Sequence, residues 1–365
     1  MNPVQVGVIG CGYWGPNLIR NLAEIPGSNL VAVADLRPER LEHVQARYPA
    51  VKVTDNHAEL FSMSLDAVVV ATPPSTHFRL AKDCLLHGLH VLVEKPLTLK
   101  SQDAEELISI AEERGLTLMV GHTFEYNPAV RALKALIDDG ELGKILYVDA
   151  VRVNLGLFQP GLDVLWDLAP HDISILLYLL GSDPLLVNAL GADCIFKGKA
   201  DIAYLNLEFP DEILAHVHVS WLDPCKVRRI TVVGSQKMVV YDDVENLEKL
   251  KIYDKGVEPP PYTDTFGEFQ CNYRSGDIVI PNIRFTEPLR LECQHFIECV
   301  ASGCKPLTCG RNGLKVVRVL EAAARSLYHG GTPEAITWYD EEEQPSSQQV
   351  WDACAVEPVP GKSLA

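Results

Sequence analysis

The chain has 365 residues, 47% of them hydrophobic, and a formal net charge of −17. That length provides for two domains with cores of their own, and an acidic balance without a basic stripe argues against a nucleic-acid partner. No apolar run reaches membrane-spanning length, and no charged-then-apolar leader precedes the first expected strand, so a cytoplasmic protein without membrane or targeting segment is expected.

Residues 4–9 are an apolar run ending at Gly10-Cys11-Gly12-Tyr13-Trp14-Gly15. An amphipathic helical stretch follows, then a second apolar run over 30–34 that closes on Asp35, twenty residues beyond the last glycine. Strand, Gly-rich turn, helix, strand and acid in this order form a dinucleotide-binding arrangement. Gly10 permits the tight turn, Gly12 lets the backbone approach a pyrophosphate, and Gly15 lets the helix pack close to the strand. The helix N-terminus then faces the phosphates. Tyr13 and Trp14 are expected to pack around the turn. Asp35 bonds a ribose diol and repels a 2′-phosphate, which favours NAD over NADP. Arg37 and Arg40 follow closely and soften that preference.

The alternation continues. A strand over 66–71 ends in Thr72-Pro73-Pro74, and a helix over 76–87 has Thr76 as its expected N-cap. A strand over 90–93 closes on Glu94-Lys95-Pro96. A helix over 101–114 and a strand over 116–120 follow. Such units imply a doubly wound parallel sheet, an N-terminal Rossmann domain over 1–121, with its ligand at the carboxyl ends of the strands. Thr72, Pro73, His77, Glu94 and Lys95 belong to those ends and join the glycines, Tyr13, Trp14 and Asp35 as cofactor contacts. His77 reads equally well as a helix-surface residue.

Beyond residue 122 the grammar changes. A helix over 127–138 leads to a strand over 145–153 and a helix over 171–180. Five strand-like runs follow, over 186–196, 202–209, 213–221, 227–233 and 237–241. Short turns join them, so a largely antiparallel open sheet is expected, with one face on helices and the other free for a partner. Residues 259–288 read as a Pro-rich loop, and helices over 291–302 and 313–329 close an α+β domain spanning 122–340. The acidic tail, 341–365, is expected to be disordered. The fold class is therefore α/β with two domains.

Ten cysteines in a chain of this length are expected to be free thiols. Cys293, Cys299, Cys304 and Cys309 lie near His295, which raises zinc as a reading. No CxxC pair occurs, and 291–302 reads as a helix that buries small thiols, so no metal is expected.

The Gly-rich start, ATPPSTH at 71–77, EKP at 94–96 and WDLAPHD at 166–172 together resemble the glucose–fructose oxidoreductase and inositol dehydrogenase family, Gfo/Idh/MocA. The resemblance covers nearly the whole chain. It implies a nicotinamide-dependent dehydrogenase acting on a secondary hydroxyl of a sugar or cyclitol. GYWGPN, GHTFEYNP and RSGDIVIPNIRFTEPL are most similar to the nucleotide-sugar 3-dehydrogenases, such as those acting on UDP-N-acetylglucosamine.

Oxidising a carbinol needs a hydride acceptor, a base and a charge near the developing alkoxide. Lys95 is the expected charge and His171 the expected base. Asp167 lies one helical turn before His171 and either orients it, bonds a neighbouring sugar hydroxyl, or caps the helix. Ala169 and Ser174 depart from the related pattern and Asp172 follows His171 directly, which leaves a substrate role and a structural role both open for Asp172. The resemblance implies substrate or nicotinamide contacts at His122 and Tyr126, and Arg152, Asn154, Arg228 and Arg274 are further expected substrate contacts, the arginines because a diphosphate needs cations. Glu125 stands where many relatives carry arginine. Inositol, glycoside and free-sugar dehydrogenases share these residues. A non-catalytic dinucleotide-binding regulator would have no physical need of Lys95, Asp167 and His171 together. A homo-oligomer, dimer or tetramer, is expected from the open sheet face and from the relatives.

Overall fold

The computed structural model describes residues 2–156, 158, 161–258 and 272–338. Contacts divide the chain into two units, Met1–His122 with Leu289–Val317, and Thr123–Pro288 with Arg318–Thr337. The stretch expected as one continuous domain, 122–340, is therefore interrupted by a return to the first unit. The tail 341–365 and the first part of the expected loop, 259–271, lie outside the described residues.

In the first unit, β1 (Val4–Ile9) leads into α1 (Gly15–Glu24) and β2 (Ser28–Ala34). Next come α2 (Pro38–Arg47), β3 (Lys52–Thr54), β4 (Ala67–Val70), α3 (His77–Leu86), β5 (His90–Glu94), α4 (Ser101–Glu113) and β6 (Leu118–Gly121). All pairings are parallel, and the order is β3-β2-β1-β4-β5-β6, the doubly wound arrangement. Every residue of β4 and β6 is buried, so these strands read as unbroken apolar runs rather than alternating ones. The outer edge of β6 is covered. Val120 donates its N–H to Thr308 O at 2.8 Å and accepts the Thr308 hydroxyl at 2.7 Å. This closes an edge that would otherwise present unpaired backbone.

Helix α2 and strand β3 were not expected. Only Leu41 and Val44 of α2 are buried, so its apolar periodicity is faint. Thr76 does not cap α3 with its side chain; its hydroxyl bonds Pro73 O at 2.8 Å instead.

In the second unit, α5 (Pro128–Asp138), β7 (Ile145–Leu155) and α6 (Val164–Leu180) precede β8 (Leu186–Ala192) and β9 (Ile202–Glu208). Then come β10 (Leu214–Ser220), β11 (Leu222–Gly234), β12 (Met238–Asp242), β13 (Leu250–Glu258) and β14 (Asn272–Val279). Helix α7 (Pro288–Ser302) falls almost wholly in the first unit, α8 (Gly310–Tyr328) is divided between the two after Val317, and β15 (Glu334–Ala335) comes last, in the second. The nine strands order as β14-β13-β12-β11-β7-β10-β9-β8-β15. Every pairing is antiparallel except β7 with β10. Strand β14 replaces part of the loop expected over 259–288. Burial alternates cleanly along β9 and β10. Ala215, Val217 and Val219 turn inward towards α6, while Leu214, His216 and His218 occupy the opposite face.

Candidate active site

At the carboxyl edge of the parallel sheet, Gly10 has φ 103°, and a Cβ there would collide with the Ala71 carbonyl. A Cβ on Gly15 would collide with the Gly10 carbonyl, so the first turn of α1 packs against the turn that leads into it. Gly12 is different. The nearest atom to a Cβ there is Arg40 Nη1 at 3.6 Å, and no backbone stands in the way. Helix α1 has no side-chain cap at its N-terminus. An open glycine beside an uncapped helix start fits a pyrophosphate.

Asp35 closes β2. Its Oδ2 accepts Cys11 N–H at 2.6 Å and its Oδ1 accepts Arg37 N–H at 2.9 Å. Arg40 Nη1 lies 3.4 Å from Oδ2, and the Asp35 side chain is only 7% exposed. The two expected arginines thus differ: Arg37 contributes its backbone, Arg40 its guanidinium. Burial, then the Asp35 charge, pushes the Cys11 thiol up to about 12, so it stays protonated. Tyr13 does not pack around the turn as expected; it stands 83% exposed. Trp14 is also exposed, at 38%, and its side chain hydrogen-bonds Glu94.

Thr72 Oγ1 and Thr76 Oγ1 bond at 2.7 Å. His77 is fully buried, with Nδ1 2.8 Å from Pro96 O and Nε2 2.8 Å from Thr72 O. It is thus neither a cofactor contact nor a helix-surface residue. It ties the loop after β4 to the loop after β5. Burial holds it below the usual histidine range, so the neutral ring donates to one carbonyl at a time. The Lys95-Pro96 bond is cis. Glu94 Oε2 accepts Lys95 N–H at 3.2 Å. Burial raises the Glu94 carboxyl to about 7, against the lowering effects of Lys95 and Trp14. His122, at the end of β6, is 1% exposed, and neither ring nitrogen has a partner among the described residues. Burial and then the Lys95 charge lower it to about 3, which keeps the ring neutral.

In the second unit, α6 starts seven residues before the expected helix, at Val164. Asp163 is its cap, accepting Trp166 N–H at 3.0 Å. Asp167 is therefore not the cap; it and His171 stand one turn apart inside the helix. Trp221 Nε1–H donates to Asp167 Oδ2 at 3.2 Å. The Phe124 ring meets the His171 ring edge-to-face, with centroids 5.1 Å apart and planes at 74°.

Arg152 is not an available substrate cation. It is 3% exposed and forks onto Asp172, Nε to Oδ2 at 2.7 Å and Nη2 to Oδ1 at 2.9 Å. Burial opposes its charge, but Asp172, with Tyr241 and Asp243 behind it, outweighs burial and raises its pKa. Tyr126 is likewise fully buried, with the Arg131 guanidinium over its ring, and is removed from the contacts. Arg274 pairs with Asp254 at 3.1 Å on β14, four strand spacings, about 19 Å, from β7. It is not gathered with Arg152. Arg228 reaches Asp243 at 3.4 Å. Asn154 remains partly exposed on β7.

Trp221 and Phe124 were missed in the sequence. Trp221 touches Asp167 from 54 residues away, a contact that no local spacing announces. Phe124 sits between His122 and Tyr126, so proximity to those residues was its only signal.

Cys11, Cys84, Cys194, Cys225, Cys293, Cys299 and Cys309 are free thiols. Cys304 departs from the expectation, being disulfide-bonded. Among the described residues no group of three or more His, Cys, Asp or Glu side chains is placed to hold a metal ion. No described helix is long and apolar enough to cross a membrane.

Residues 4–122 match the oxidoreductase family with an NAD-binding Rossmann fold, GFO_IDH_MocA, and residues 130–240 match the GFO/IDH/MocA C-terminal domain. The chain is 30% identical over 328 residues to UDP-N-acetylglucosamine 3-dehydrogenase of Acidithiobacillus ferrooxidans, covering 88% of this chain and 95% of that one. The chain belongs to the Gfo/Idh/MocA family. A solved structure of that same dehydrogenase superposes with a TM-score of 0.74 at 27% identity, over 90% of this chain and 99% of the other. Another Gfo/Idh/MocA relative is scyllo-inositol 2-dehydrogenase (NAD(+)) of Bacillus subtilis, 28% identical over 90% of this chain and 95% of that one. GenD2 from gentamicin A biosynthesis, solved with NAD, gives a TM-score of 0.77 at 25% identity, over 93% and 97%. This member of the family is thus an oxidoreductase with an NAD-binding Rossmann fold.

Proposed function

We propose that the chain is an NAD-dependent dehydrogenase oxidising a secondary hydroxyl of a sugar, with C3 of a nucleotide sugar such as UDP-N-acetylglucosamine as the first candidate. The observation that carries this reading is the near full-length likeness to UDP-N-acetylglucosamine 3-dehydrogenase. Lys95 at the end of β5, and Asp167 and His171 one turn apart on α6, support it.

A bound nicotinamide supplies the hydride acceptor. Gly10, Gly12, Gly15 and the start of α1 hold its phosphates, and Asp35 holds the adenosine ribose. Thr72, Pro73, Glu94 and Lys95 complete that site. NAD is favoured over NADP because the Asp35 carboxylate opposes a 2′-phosphate. His171 takes the hydroxyl proton at a ring nitrogen. The Lys95 ammonium stabilises alkoxide character on the same oxygen. Asp167, held by the Trp221 indole, bonds a neighbouring hydroxyl. Asn154 remains a substrate contact, whereas His122, as buried as Tyr126, does not.

A cyclitol is the second reading, favoured by the likeness to scyllo-inositol 2-dehydrogenase. The retention of Lys95, Asp167 and His171 weighs against a regulator that keeps the fold as a scaffold. We further propose a cytoplasmic homo-oligomer, dimer or tetramer, using the face of the nine-stranded sheet that carries Leu214 and His216. The test is NAD reduction measured across UDP-sugars and inositols. Turnover with UDP-N-acetylglucosamine supports the first reading, and turnover with inositols alone supports the second.

A further inference from the structure

We infer that Asp172 and Arg152 are positioning residues that fix the ring of His171 through Phe124. The inference rests on His171 as the base. Four contacts close a ring of residues within the second unit. Asp172 follows His171 directly in α6. Both carboxylate oxygens of Asp172 accept from the Arg152 guanidinium, at 2.7 and 2.9 Å. That guanidinium lies over the Phe124 ring, 4.4 Å from its centroid. Phe124 in turn meets the His171 ring edge-to-face at 5.1 Å.

Each link is directional. The bidentate fork sets the plane of the guanidinium, and a planar cation over an aromatic face sets the position of that ring. The edge-to-face contact then restricts rotation of the imidazole. The turn that carries Phe124, Thr123–Tyr126, is anchored at its far end as well. Asn127 accepts Ala129 N–H at 2.9 Å to cap α5 and donates to Tyr241 Oη at 3.0 Å. Tyr241 Oη donates to Asp243 Oδ1 at 3.0 Å.

The pair is 3% and 1% exposed, and a buried ion pair is a poor way to gain stability. Apolar residues of similar size often serve stability as well or better. A role in positioning accounts for a fork placed beside the base. It also gives Asp172 a function that needs no contact with substrate.

The test compares four variants in the full chain: Phe124→Leu, Phe124→Tyr, Asp172→Asn, and the double variant Arg152→Met with Asp172→Leu. Four readouts are used: thermal midpoint, the Cε1–H resonance of His171 in histidine-labelled protein (assigned by its loss in His171→Asn), kcat and NAD affinity. Asp172→Asn strands a buried guanidinium and is expected to lower the midpoint. The double variant removes both charges and restores the midpoint. The expected result is that its His171 resonance nevertheless moves and broadens, as in Phe124→Leu, while Phe124→Tyr keeps the wild-type resonance. With whichever of UDP-N-acetylglucosamine or scyllo-inositol is turned over, kcat falls about 10- to 100-fold in both the double variant and Phe124→Leu. NAD affinity changes less than about threefold, because the dinucleotide residues are untouched.

A double variant with the wild-type His171 resonance overturns the inference and leaves the pair a structural one. Should the double variant not fold, an unmoved resonance in Phe124→Leu overturns it equally. Unimpaired turnover in His171→Asn sinks the base reading instead, and the resonance comparison still decides whether the ring is held.

Discussion

Asp35 offers the sharpest test of the cofactor reading. A 2′-phosphate about 4 Å from its carboxylate meets repulsion on the order of 4 kcal/mol per charge pair at an effective dielectric of about 20. Arg40, 3.4 Å from the same carboxylate, offsets much of that. Being one-third exposed, it is also held too weakly to resist recruitment by a phosphate. The expected preference for NAD is therefore modest, about 1–2 kcal/mol, or roughly 5- to 30-fold in Kd. Asp35→Ala removes the repulsion and the ribose bond together, and the gap should shrink to within about threefold. The substitution also strands the N–H groups of Cys11 and Arg37, at about 1–3 kcal/mol of stability each where they are buried. Asp35→Asn, which keeps an acceptor without the charge, separates folding loss from lost selectivity. Calorimetric titration of each variant with NAD and NADP is the assay. Equal binding of both by the wild type, or an unchanged gap in Asp35→Ala, refutes the reasoning.

Lys95→Ala and His171→Ala should each lower kcat by about 10²–10⁴-fold with little change in NAD affinity, and the two losses should not add. An ionisation in the wild-type oxidation profile should vanish in His171→Ala; an unchanged profile with near-normal turnover points to Asp167 as the base. Glu94 holds its proton to about 7 when folded against 4.5 ordinarily, so the unfolded chain releases that proton first. Stability of the cofactor-free chain should fall as pH rises from about 4.5 to about 7, and Glu94→Gln should lose that slope in thermal melts. An identical slope in the variant shows that Glu94 is not its source. Purified protein should carry no stoichiometric zinc and keep its activity in chelator; elemental analysis finding one zinc per chain, lost in Cys299→Ser with Cys304→Ser, contradicts this.

The first unit was legible in the sequence because its signals are local. Gly10, Gly12, Gly15 and Asp35 act through spacing along one strand–turn–helix–strand unit, and the buried strand 67–70 is a bare apolar run. Helix α2 escaped notice because two buried residues make a faint stripe. Strand β14 hid in a stretch with several polar and glycine residues, NYRSGDIV, where strand propensity is weak. The second unit's site residues were harder. Charge and position alone do not separate a solvated arginine from one like Arg152, whose partner lies 20 residues away on another element. Tyr126 next to His122 reads as part of an opening segment, yet it is core. His77 looked like a ligand or a surface residue, and only the fold shows the two carbonyls it bridges. In each case the missing information was a tertiary partner.

The central claim is hydride transfer from a sugar-like carbinol to NAD. The measurement that tests it most directly is NADH formation by purified chain, already shown by calorimetry to bind NAD, across UDP-sugars, inositols and glycosides. NADH is expected with at least one of them, UDP-N-acetylglucosamine first, and is expected to be lost in Lys95→Ala. Firm NAD binding with no NADH from any of these compounds contradicts a dehydrogenase and favours a dinucleotide-binding regulator.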